Sequence, residues 1–233
     1  MEEKEFPKFA RFEDEPSGPP GIGEGIKAKA SGFGRKLFVF IKFILGICFL
    51  PIVYSTTVSF LTQLGRVDKI PQDYFWQGVI VMISVYLFIW EPVVLYTKGQ
   101  KLLELFFRFV KPLVKVAPYL LPVYTIILAL VYCFFSWALD KDAVNYFIFL
   151  LGMSIALHLV FSAKTMRGKK DDFFKSNYIF GFSLIYIINL GLLAGILNCM
   201  FNEFSFVEFC NGTYQTARGI LDAVITQLFV VNK

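Results

Sequence analysis

The chain carries one histidine, His158, and four cysteines among 233 residues, and neither set has the spacing of a metal site. One histidine does not build a histidine-based zinc centre or the usual serine or cysteine dyad, and no HExxH motif is present. Cys48, Cys133, Cys199 and Cys210 form no CxxC pair, so no metal-ligand arrangement can be read from them. Walker A, GxSxG and CxxCH motifs are missing as well. No inverted internal repeat of the kind found in many transporters is visible. Catalytic residues, metals and cofactors are therefore assigned to none. The residual enzymatic reading is lipid chemistry at Asp171 and Asp172, which follow Lys169 and Lys170.

Long polar stretches are scarce too, and apolar residues take their place. Hydrophobic residues make up 56% of the chain, with 28 Phe and 11 Tyr. A soluble domain of this length has no interior large enough to hide that surface. A bilayer core about 30 Å thick needs roughly 20 helical residues to cross it. Five segments reach that length: 37–61, 74–97, 118–139, 144–162 and 178–200. Backbone amides in lipid must pair within the segment, which forces helix, and no run alternates as a barrel strand would. The fold class is all-α: a polytopic, five-span helical membrane bundle with two peripheral amphipathic helices.

Charge placement orients it. The tail before the first run holds seven Lys and Arg, and Lys42 lies just inside that run, close enough to the surface to snorkel. Five more (Lys98, Lys101, Arg108, Lys111, Lys115) follow the second run, and another five (Lys164, Arg167, Lys169, Lys170, Lys175) follow the fourth. Eighteen of the 23 basic residues thus fall on one side, leaving Arg66, Lys69, Lys141, Arg218 and Lys233 opposite. The positive-inside rule places the N-terminus in the cytoplasm and the C-terminus across the membrane, the inner membrane if the source is bacterial. Tyr74, Trp76, Trp90, Tyr96, Tyr119 and Trp137 stand near run ends, as an interfacial belt would. No loop is long enough for a basic nucleic-acid domain, so nucleic acid is not a partner.

Residues 1–36 mix charges with Pro and Gly and are expected to be a disordered cytoplasmic tail. In 98–115, Lys101, Glu104, Arg108, Lys111 and Lys115 recur at helical spacing. That stripe fits a cytoplasmic amphipathic helix facing anionic headgroups, and Pro112 should kink or end it. The segment 201–233 is expected on the other side. It carries a second amphipathic helix, which Arg218, Asp222 and Gln227 make more polar than a sixth span would be, and Asn211-Gly212-Thr213 has the glycosylation form. Cys199 and Cys210 both reach that face, which leaves a disulfide open there.

Polar groups inside the runs are functional candidates because each is costly to hold in hydrocarbon. Glu91, beside Pro92, and His158 lie at similar depth, as a proton-coupled step would need. Asn189 is mid-span and suits a helix–helix hydrogen bond. Gly152 with Ala156, and Gly191 with Gly195, are small-residue pairs that permit close helix approach. Three functions follow: a non-enzymatic scaffold, assembly factor or complex subunit; a small transporter or channel using Glu91, His158 and Asn189; and a lipid-modifying enzyme. The expected partners are the bilayer itself and either other membrane proteins or further copies of the chain.

Overall fold

A computed structural model describes residues 22–89, 92–106, 119–167 and 178–229. Among these all regular structure is helical, with no strand: α1 (Ile22–Leu64), α2 (Lys69–Ser84) continued by a π-helical turn (Val85–Ile89), α3 (Val93–Phe106), α4 (Val123–Phe135) ending in a 3-10 turn (Ser136–Ala138), α5 (Lys141–Arg167), α6 (Tyr178–Met200) and α7 (Phe206–Phe229). Contacts divide the chain into residues 1–40 and 41–233. The first unit contributes residues 22–40, helical where a coil was expected. Lys27, Ala28, Lys29 and Ala30 are good helix formers, and lengthening an existing helix avoids the cost of nucleation.

Four stretches are long and apolar enough to cross a bilayer: Phe40–Leu64, Lys69–Ile89, Lys141–Met166 and Tyr178–Met200. The second stops short of the expected residue 97. Pro92 lacks an N–H and disfavours helix in the residue before it, so a new helix, α3, begins at Val93. The expected third crossing, 118–139, contains only the shorter apolar helix Val123–Ala138. The chain bends at Leu121, and Pro122 caps the start of α4.

Side-chain contacts within the second unit give each helix a direction. Tyr74 meets Tyr146 and Tyr86 meets Phe161, so α2 and α5 run parallel. Gly46 lies against Phe180 and Thr57 bonds Tyr186, so α1 and α6 run parallel as well. Tyr132 meets Phe147 while Thr125 bonds Ser154, which sets α4 antiparallel to α5. Asn189 bonds the Leu120 oxygen and Cys133 shares a gap with Cys199, so α6 runs parallel to α4 and the order α1, α2, α4, α5, α6 alternates in direction. α5 is the most enclosed of the four long candidates, with 56% of its apolar window buried against 17% for α2.

The closest approach is where α2 crosses α5. A Cβ added at Gly78 would stand 2.0 Å from the Phe149 carbonyl oxygen, and one at Gly152 would stand 2.2 Å from that of Phe75. Each glycine thus admits the other helix's main chain, a contact that no larger residue allows. Phe60, Phe75, Ile155, Leu193 and Phe204 continue the core from this crossing.

Candidate functional site

The break before α4 exposes main-chain carbonyls that the helix does not satisfy, and buried polar side chains of two neighbouring helices meet them. Pro122 donates nothing, and an unpaired carbonyl in a dry interior is costly. From α6, Asn189 donates through Nδ2 to the Leu120 oxygen at 2.9 Å and to its own helix at the Ile185 oxygen, 2.7 Å. From α5, His158 Nε2 lies 3.2 Å from the Tyr119 oxygen. A carbonyl only accepts, so this nitrogen carries the proton. Ser162 adds its hydroxyl, 3.3 Å from His158 Nε2 and 3.4 Å from the same Tyr119 oxygen. All three side chains are buried, and Asn189 and Ser162 are fully so.

Tyr96 of α3 extends the cluster. Its ring stacks on Phe161 with centroids 5.2 Å apart, and its hydroxyl lies 3.3 Å from Ser162 Oγ. Tyr96 is therefore enclosed, at 7% exposure, and does not belong to an interfacial belt. Its burial follows from the Pro92 break, which turns α3 against α4 and α5 through Gly99 and Tyr96. Tyr124 fixes the same contact by donating to the Leu95 oxygen at 2.6 Å. Here Gln100, Ser154, His158 and five neighbours line a cavity of about 10 Å³, the room one water needs. Away from this cavity, Asn189 Oδ1 is a buried atom without a hydrogen-bond partner among the described residues.

Glu91, Arg108, Lys111 and Lys115 lie outside the described residues, and among the described residues His158 meets the Tyr119 oxygen and Ser162 and no carboxylate. Asp171 and Asp172 lie outside them too. Lys101, on α3, is exposed. Lys42 is enclosed by protein, at 3% exposure. Gly152 and Ala156 are buried on α5, with Gly152 at the α2 crossing. Gly191 and Gly195 differ, because nothing stands within 4 Å of an added Cβ at either. They border an open space of about 360 Å³ between α4 and α6 that Ala129, Cys133 and Cys199 also line. Cys199 and Cys210 are both unpaired and exposed. No group of three or more metal-ligating side chains occurs among the described residues.

Two features escaped the sequence reading. Ser55, Thr56, Ser59 and Gln63 form a buried polar stripe on α1. Ser55 and Thr56 bond back to the carbonyls of Pro51 and Ile52, each at 2.7 Å, which hides their hydroxyls within the helix. Their recurrence at helical steps was the available signal. The second is a latch at the end of the bundle where α1 stops. Arg66 and Gln63 both reach Glu208 at the start of α7, the amide at 3.3 Å. The Arg66 guanidinium, then Gln63, hold the Glu208 carboxyl below its usual value of 4.5.

Comparison with protein-family models, with curated proteins and with solved structures finds no match for this chain.

Proposed function

We propose that this chain is a five-crossing membrane protein that serves as a non-enzymatic scaffold, assembly factor or subunit of a membrane complex. Its N-terminus lies in the cytoplasm and its C-terminus opposite. The alternating helix directions support the odd number of crossings, with α4 completing the third despite its short length. The observation that carries the functional reading is the work done by the buried polar groups. His158, Ser162 and Asn189 are occupied in holding the carbonyls of Tyr119 and Leu120. Groups engaged in this way support the architecture and line no path. Large apolar side chains face outward on every long helix, among them Leu50, Ile80, Leu87 and Leu150, which suits contact with lipid or with another membrane protein.

Reporters fused after Lys233 and inserted beside Arg11 test the topology and should occupy opposite compartments. Purification in mild detergent, with mass spectrometry of what accompanies the chain, tests the role. A defined heteromer or homomer supports it, and a monomer carrying no other protein overturns it.

One observation favours a transporter as the second reading. A helix interrupted at Leu121 and Pro122, with the unpartnered Asn189 Oδ1 close by, has the form of a discontinuous helix at a transport site. Under that reading Glu91→Gln or His158→Ala abolishes flux while folded protein is retained.

A further inference from the structure

Between α1, α2, α5 and α6 the bundle encloses a cavity of about 250 Å³, bounded by Thr57, Phe60, Trp76, Val79, Ala156 and Tyr186 among others. This far exceeds the ~10–15 Å³ that lodges one water. Its walls are otherwise apolar and aromatic, a lining typical of small-molecule sites. Leu61 and Trp76 at its rim are 44% and 39% exposed, so it communicates with the surrounding lipid.

One polar pair interrupts the lining. Thr57 has a single hydroxyl proton, which it donates to the Val53 oxygen at 2.8 Å. The Tyr186 hydroxyl, 2.9 Å from Thr57 Oγ1, must therefore be the donor between the two. That leaves the phenolic oxygen with an acceptor lone pair that no described residue fills. Tyr186 lies eight residues into α6, about 12 Å along its axis. At that depth neither water nor a phospholipid headgroup supplies a donor.

We propose that this cavity binds a membrane-dissolved alcohol, with its apolar body against the aromatic walls and its hydroxyl donating to the Tyr186 oxygen. A purely apolar chain fills the same volume and leaves the acceptor unpaired. An ester or ketone adds only a further acceptor. The pairing therefore selects for one hydroxyl on a long or polycyclic hydrocarbon. The site does not depend on which end of the chain faces the cytoplasm, nor on the scaffold role.

Trp76 reports occupancy directly. In full-length protein carrying Trp90→Phe and Trp137→Phe, dibromododecanol in detergent micelles should quench Trp76 saturably. Half-saturation should fall at a mole fraction at least five-fold below that of dibromododecane. Tyr186→Phe should cancel this preference while circular dichroism still reports a folded helical protein, and Ala156→Phe should remove saturable quenching by both probes. Equal quenching by alcohol and alkane in the parent protein overturns the proposal without recourse to any variant in the cavity. A preference that survives Tyr186→Phe overturns it as well.

Discussion

Two pairs of small residues on neighbouring helices end in opposite circumstances. Gly152, with Gly78 facing it, lets α2 and α5 touch main chain to main chain. Gly191 and Gly195, at the same four-residue spacing on α6, face open space. The motif is thus permission for close approach and does not itself make a contact. What decides is the facing helix: α5 meets α2 with a second glycine in the right place, whereas α4 offers Tyr132 and Cys133 across a gap.

The largest effect expected from breaking this contrast comes from Gly78→Ala. A methyl group 2.0 Å from the Phe149 oxygen forces the helices apart, and the loss should reach about 3 kcal/mol. Denaturant unfolding in micelles measures it, and a near-neutral result would show that the crossing is looser than described. Asn189→Leu comes next. It strips the Leu120 oxygen of its donor while also deleting the unpartnered Oδ1, so the net cost should be about 1 kcal/mol. Gly191→Ala should be smaller and of opposite sign, stabilising α6 by up to about 1 kcal/mol through helix propensity alone. A clear loss there would mean that something occupies the groove.

The smallest effect belongs to the latch. The Glu208 carboxyl is held below its usual 4.5, so its contribution is present above that pH and fades as pH falls through the lowered value. Detachment of α7, followed by limited proteolysis, should therefore grow more rapid in acid. Glu208→Gln should make the proteolysis independent of pH over that range.

The membrane character and helical class were legible in the sequence because hydropathy reports directly which residues lipid tolerates. Helix ends were less so. Pro92 carried the signal of a break, yet the second crossing was expected to run through it to residue 97; α3 starts directly behind it. Pro122 carried the same information, yet a run of apolar residues concealed that the helix before it stops. The partners of His158 and Asn189 were not legible at all. Intramembrane polarity shows that a residue has a task without naming the group it serves, and here that group is backbone, which has no signature in sequence. Tyr186 was equally silent, since its acceptor emerges only from how Thr57 spends its single proton.

The groups that satisfy the opening carbonyls of α4 are encoded after it: His158 and Ser162 on α5, Asn189 on α6. During synthesis α4 therefore leaves the ribosome before anything can quiet its bare end. A chain truncated after Asp140 and released should hold this segment in a shallow or reversible position, and one extended past Met200 should fix it. Released truncated chains carrying a depth-sensitive label at Ala129 would read that dependence, and full insertion in the shorter chain would refute it.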